Sequence, residues 1–152
     1  MYKHILIPTD GSPHSLEAAR VANTFAEMGD TEQITILHVA PFITTGYYDL
    51  TGDLYEAMYE RSRIAGGIIL EKTREAVNPG PRINTVFEFG TPIAEKICEY
   101  AEKNGCDLIV IGSRGMTPVS SFVLGSVSTR VINLSHCPVL VAKMKVKSKN
   151  KE

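Results

Sequence analysis

The sequence predicts an open α/β fold: one five-stranded parallel sheet in the order 3-2-1-4-5, with helices on both faces. Three observations carry that prediction. Five short apolar runs alternate with four longer stretches of helical periodicity. The first and fourth runs, Ile5-Leu6-Ile7 and Leu108-Ile109-Val110-Ile111, are apolar on both faces, as central parallel strands are. A glycine-rich loop then leads from the fourth run straight into a helical pattern. Right-handed crossovers, with the first and fourth strands as neighbours, select the order 3-2-1-4-5.

The elements follow in order. Tyr2 to Pro8 form the first strand, and Thr9-Asp10-Gly11-Ser12 turn the chain. Ser12 is placed to cap a helix with Pro13 at its first position. Ala18, Val21, Ala22, Phe25 and Met28 recur at helical spacing and are expected to face inward, with Gly29 closing the helix. The second strand is Ile34 to Val39. A long irregular stretch follows, from Ala40 to about Leu54, with Phe42, Tyr47 and Tyr48; a loop of that length is often a lid or contact surface. The next helix runs from about Leu54 to Val77 and contains Gly66-Gly67, where a close helix contact or a bend is expected.

Asn78-Pro79-Gly80-Pro81 breaks the chain. The third strand sets Ile83, Thr85, Phe87 and Phe89 against Asn84, Val86 and Glu88, the alternation of a half-exposed edge. Thr91-Pro92 starts a helix with Ile93, Ala94, Ile97 and Ala101 inward, ending near Asn104-Gly105. The fourth helix is expected behind Ser126 as N-cap, with Val127, Val131 and Leu134 on its inner stripe. Pro138 to Ala142 are the last strand. It falls at a sheet edge without charge or polar alternation, which predicts a homodimer built partly through it.

Composition narrows the function classes. The net charge is −1, with 16 Lys and Arg against 17 Asp and Glu, so the body has no basic face for nucleic acid. The last ten residues hold five lysines against Glu152, a short basic end. Residues 1–143 are therefore read as one domain, and 144–152 as a tail expected to be disordered. Cys98, Cys106 and Cys137 form no C-x-x-C pair, so zinc and a disulfide framework are not expected. With no membrane span and a strand in place of a signal peptide, a cytoplasmic location is expected.

The chemistry concentrates in the stretch from Asp107 to Ser128. Gly112, Gly115, Gly125 and Ser126 are spaced G-x2-G-x9-G-S between a strand and a helix. A strand, a glycine loop and a helix N-terminus together offer free N–H groups and a positive dipole end to a phosphate. Turns alone rarely need three glycines accompanied by Arg114, Ser126 and Ser128. Asp10 lies at the carboxyl end of the first strand, so it and this loop converge on the switch point between strands one and four, where open α/β sheets bind ligands. His4, His14, His38 and His136 show no metal or catalytic spacing. G-x-x-x-x-G-K-[ST], G-x-G and G-x-S-x-G are all absent.

ILIPTDGS at the first strand, LHVA at the end of the second and the G-x2-G-x9-G-S spacing resemble the universal stress protein family, in its ATP-binding branch, up to Ala142. The resemblance implies a Rossmann-like fold of the adenine nucleotide alpha hydrolase type, with a nucleotide across the switch point. Asp10, beside Pro8 and Thr9, then faces the ribose or the phosphate-bound cation. The Val39 backbone reads the adenine edge. Gly112, Ser113, Arg114 and Gly115 approach the phosphates, and Gly125, Ser126, Val127 and Ser128 close over them. The ligand implied is ATP, or AMP or ADP, with Mg.

The family also commonly dimerises through its last strand, and its segment after strand two is variable, so no role carries over to Tyr47 or Tyr48. The function expected is a dimeric ATP-binding stress protein whose nucleotide is a state signal read by a further protein. Two alternatives remain: a slow ATPase or nucleotide-processing enzyme with Asp10 holding magnesium or a water, and a dimeric adaptor that does not use nucleotide.

Overall fold

The computed structural model describes residues 1–42, 52–115 and 123–144. Nine elements alternate: β1 (His4–Pro8), α1 (Pro13–Glu27), β2 (Gln33–Ala40), α2 (Gly52–Arg74), β3 (Arg82–Phe89), α3 (Ile93–Lys103), β4 (Leu108–Gly112), α4 (Ser126–Leu134) and β5 (Val139–Ala142). The strands form one sheet in the order β3-β2-β1-β4-β5, with every pairing parallel. The expected fold class and strand order are those observed.

Strand alternation divides the core into two layers. Ile5, Ile7, Ile34, Ile36, Leu108 and Val110 pack with Ala18, Ala19 and Ala22 of α1 and Leu70 of α2. Leu6, Leu37, Val39, Ile109 and Ile111 pack with Ala94, Ile97 and Ala101 of α3 and Val131 of α4. Each large side chain taken fully out of water adds about 1.5–3 kcal/mol. The central strands are therefore apolar on both sides because both sides are covered. At their amino ends Asp107 ties β1 to β4 by accepting from the Lys3 and His4 amides at 2.8 and 3.0 Å.

Several local expectations need correction. The α1 stripe buries Ala18, Ala19, Ala22 and Ala26, whereas Phe25 and Met28 stay exposed. Alanines let this helix lie close on the sheet, and Phe25 turns sideways to meet the Tyr2 ring edge-on at 6.4 Å. At α4 the N-cap is Gly125 and Ser126 is the first helical residue. Thr129 donates both its amide and its hydroxyl to the Gly125 carbonyl, which fixes that boundary. Leu134 ends α4 exposed, leaving Val131 as the fully buried residue.

The Gly66-Gly67 expectation resolves residue by residue. α2 runs through both glycines without a break. A Cβ on Gly66 would lie 2.6 Å from the Phe87 ring and 2.9 Å from that of His38, so the close contact is with the sheet. A Cβ on Gly67 meets nothing within 4 Å. The irregular segment falls mostly outside the described residues, Tyr47 and Tyr48 included. Its flanks, Phe42 and Tyr55, join Tyr59, Phe87 and Phe89 in a ring cluster with centroids 5.1–6.5 Å apart. Tyr55 and Tyr59 are thus packing residues of β3, which is half-exposed along its length, as an edge is.

The two adjacent glycines should respond oppositely to the same substitution. Gly66→Ala is expected to lose roughly 1–3 kcal/mol by overpacking, and Gly67→Ala to gain about 1 kcal/mol in helix propensity. Urea unfolding of both variants checks this; a Gly66→Ala chain as stable as the parent would contradict the contact.

Candidate functional site

β1 and β4 end side by side, and the chain leaves them in opposite senses, toward α1 and α4. At the end of β1, Thr9 is buried and its backbone still belongs to the sheet: its amide donates to the Leu37 carbonyl at 2.8 Å. Its hydroxyl donates to Ser15 at 3.1 Å, lies 2.8 Å from that of Thr73 and accepts the Gly11 amide. His38 Nδ1 sits 2.7 Å from the Thr9 carbonyl. Thr9 is thus the knot that holds the turn, and His38 is a packed partner of it. Asp10 Oδ1 accepts the Ser12 amide at 2.9 Å, and Gly11 takes the left-handed φ of 76° that the turn requires.

At the end of β4, Gly112 meets the start of α1 backbone to backbone. A Cβ there would stand 2.7 Å from the His14 carbonyl carbon and 2.9 Å from the Ser15 amide. The loop that leaves Gly112 is drawn shut at its base: Ser128 Oγ donates to the Gly112 carbonyl at 2.7 Å, and the Gly125 amide to that of Ser113 at 2.8 Å. Gly115 comes back toward β1, where a Cβ would lie 2.8 Å from Asp10 Oδ2. Residues 116–122, the middle of the G-x9-G interval, lie outside the described residues.

Between these two turns opens a cleft of about 680 Å³, within the range of small-molecule sites. Of the residues singled out in the sequence, Pro8, Thr9, Asp10, Val39, Gly112, Arg114, Gly115, Gly125, Ser126, Val127 and Ser128 line it. Ser113 does not: it is buried beside the loop, its hydroxyl 3.2 Å from His14 Nδ1. Sequence reasoning missed the apolar wall of Leu37, Ile93, Ile97 and Ile111, and also Ser15, Val123 and Leu124. The signal of the four wall residues was present, since they stand at or near the carboxyl ends of strands or on the helix after β3. It was indistinguishable from ordinary core periodicity.

The wall is thus apolar on the β2 and α3 side, whereas the β1, loop and α4 side mixes Thr9, Asp10, Arg114, Ser126 and Ser128 with Val123, Leu124 and Val127. At α4 the amides of Ser126, Val127 and Ser128 precede the first turn-closing bond, from Thr129 to Gly125, so they face outward from the helix start. This dipole end and the glycine loop together suit an anion. The cysteines take no part. Burial pushes the Cys106 thiol up to about 12 and raises that of Cys98 as well, so both stay protonated packing groups. Among the described residues no group of three or more His, Cys, Asp or Glu could hold a metal, and no helix is long and apolar enough to cross a membrane.

Fold and cleft define an α/β ligand-binding domain with its site at the topological switch point. The chain belongs to the universal stress protein family, whose family model matches residues 1–143. It is 40% identical over 149 residues to Universal stress protein MJ0531 of Methanocaldococcus jannaschii, covering 94% of this chain and 83% of that protein. Its fold matches the solved structure of hypothetical protein MJ0577 with a TM-score of 0.79 and 31% identity, covering 96% of this chain and 99% of that one. Two more distant structures share the fold with nucleotides in place. One is a universal stress protein in complex with cAMP (TM-score 0.64, 23% identity, 93% and 97% covered). The other is a family member from Arabidopsis thaliana with AMP bound (TM-score 0.64, 19% identity, 99% and 97% covered).

Outside the cleft, α3 and α4 are joined by an ion pair with a readable pH signature. Glu95 of α3 accepts from Arg130 of α4 at 2.5 Å, and that hydrogen bond holds its carboxyl below the usual range. A carboxylate depressed in the folded state contributes stability above the unfolded value, and the contribution is lost as pH falls through the folded one. Glu95→Gln should therefore flatten the acid side of the melting-temperature profile and leave its slope near neutrality unchanged. Parallel profiles for parent and variant down to pH 3 would show that the pair adds nothing.

Proposed function

We propose that this chain binds an adenine nucleotide, ATP with Mg²⁺, and that the bound nucleotide sets a state which another protein reads. One observation carries the proposal: an apolar wall, a glycine loop and the open end of α4 meet in a single cleft at the switch point. The division suits a molecule with a flat apolar base and an anionic tail. Leu37, Val39, Ile93, Ile97 and Ile111 would take the base. The amides of Gly112, Gly115, Ser126, Val127 and Ser128 would take the phosphates, with Arg114 supplying charge. The two nucleotide-bound members of the fold indicate that the architecture admits this ligand class; here the reading rests on this chain's own cleft.

Magnesium fits as a companion of the nucleotide. It commonly binds through one or two carboxylates together with substrate phosphates, and Asp10 is the carboxylate that reaches the loop. A bound ion would neutralise phosphate charge there. Asp10 also motivates the second reading, slow hydrolysis. Turnover lost in Asp10→Ala with nucleotide still bound favours an enzyme; binding without turnover in the parent favours the signal.

Calorimetry with ATP-Mg should give saturable one-site binding, and the absence of heat at millimolar nucleotide would end the proposal. Nucleotide at ~100 times its dissociation constant should add roughly 2.7 kcal/mol, a rise of about 5–10 °C in melting temperature. Gly115→Val, folded by circular dichroism, should weaken binding about tenfold or more, roughly 1.4 kcal/mol.

We also propose a homodimer through β5. Val139, Leu140 and Val141 are apolar and half-exposed at an edge that, among the described residues, nothing covers. The carbonyls of Pro138 and Ala142 accept from β4, so those of the alternate residues, Val139 and Val141, point outward with their amides. Val141→Pro removes an outward donor and should convert the dimer to monomer by sedimentation at micromolar concentration. A parent chain that is already monomeric there would remove the idea.

A further inference from the structure

Helix α2 buries Gly66, Leu70 and Thr73 and turns a different face to solvent. Along that face Ala57, Arg61, Ile64, Ile68, Glu71 and Glu75 follow one another at alternating steps of four and three, which is heptad spacing. All six are exposed, and Ile64 and Ile68 leave 56% and 69% of their surface in water. Arg63 pairs with Glu60 at 2.6 Å and Arg74 reaches Glu71 only at 4.0 Å, leaving Glu71 room for a closer cation, whereas Arg61 makes no ion pair among the described residues. Gly67, beside the stripe, has open space where a Cβ would go. Among the described residues nothing calls for glycine there, and alanine would favour the helix.

We propose that this stripe is a self-association surface, with α2 packed antiparallel on the α2 of a second copy about a two-fold axis at residue 66. Reversing the stripe about that residue sets Ile64 against Ile68 of the partner subunit, and Arg61 against Glu71 of the partner subunit. Ala57 falls opposite Glu75 of the partner subunit. A two-fold axis repeats each pair, so four isoleucines form the centre and an ion pair closes each side. The register follows from charge. A slip of one heptad either way puts Arg61 on Ile64 or Ile68 on Glu71, setting a charge against an apolar side chain and losing the pair between Arg61 and Glu71. A parallel pairing would set Arg61 on Arg61 and Glu71 on Glu71. Ala65 and Gly67 flank the crossing, and their small size lets two helix axes approach to about 8–10 Å. This accounts for a glycine the monomer does not need. Since α2 and β5 are separate surfaces, pairing through α2 would join β5 dimers into a larger assembly, independently of any nucleotide.

The test mixes two purified full-length chains, Ile64→Cys and Ile68→Cys, under mild oxidation. With the partly exposed Cys137 replaced by serine in every chain, opposed positions in different copies predict that the mixture cross-links several-fold faster than either chain alone, while the Cys137→Ser parent, with Cys98 and Cys106 buried, does not. In sedimentation at high micromolar concentration, Arg61→Glu should weaken the association step at least tenfold. The double reversal Arg61→Glu with Glu71→Arg should restore it, because residues ten apart on one helix cannot touch each other. Equal cross-linking in the mixture and the separate chains overturns the pairing. So does a loss that the double reversal leaves unrepaired, in variants whose circular dichroism matches the parent.

Discussion

The approach of two backbones at Gly112 is the constraint on which the site depends. α1 begins against the end of β4, so close that a Cβ would overlap the His14 carbonyl and the Ser15 amide. That approach brings the turn after β1 against the loop after β4 and makes a cleft of what would otherwise be two separate loop ends. Every other feature of the site presupposes it. Asp10 can face Gly115, and the hydroxyl of Ser128 can reach the Gly112 carbonyl, because the two strand ends are held this near. Any side chain at residue 112 would have to push α1 outward, and α1 is anchored by alanines that lie directly on the sheet.

The sheet supplies the rigidity this arrangement needs. β1 and β4 are buried on both faces, and the buried hydroxyl of Thr9 is satisfied by groups from α1 and α2 as well as by its own turn. A buried polar group that loses its partner costs about 1–3 kcal/mol. The Thr9 network therefore opposes rotation of the turn that carries Asp10. The loop on the other side is held differently, by two hydrogen bonds at its base. One wall of the cleft is thus set by the core and the other by a clasp.

Much of this was legible in the sequence, for physical reasons. Strand order follows from which runs are apolar on both faces, since only central strands are covered twice, and the glycine spacing marks where backbone must approach backbone. What stayed illegible is equally instructive. Phe25 and Met28 fit the helical period yet lie outside, because the helix is seated by its alanines and a large side chain one step round has no room beneath. Ser126 has the chemistry of a cap, but the cap position depends on which carbonyl receives Thr129, and that is Gly125. The apolar wall of Leu37, Ile93, Ile97 and Ile111 reads as core in the sequence because it is core: Leu37, Ile97 and Ile111 are buried, and only their place at the sheet's end sets them on the cleft. Periodicity reports that a residue leaves water, not what meets it.

The two edges of the sheet complete the contrast between what the chain covers and what it leaves open. On the β3 side Phe42, Tyr55 and Tyr59 meet Phe87 and Phe89 in tilted and edge-on contacts, so rings from α2 and from just past β2 pack on the side chains of that half-exposed strand. Aromatic packing of this kind covers an edge strand's side chains without demanding a partner. On the β5 side the described residues offer no such packing, and the exposed side chains are aliphatic. A chain that packs one edge strand with its own aromatic residues, yet presents valines and a leucine at the other, treats the two edges unequally. The inequality has a physical consequence: an uncovered ladder of amides and carbonyls with apolar neighbours is satisfied best by a second such ladder. The cleft opens at the strands' carboxyl ends, away from either edge, so the pairing proposed at β5 would leave its mouth open.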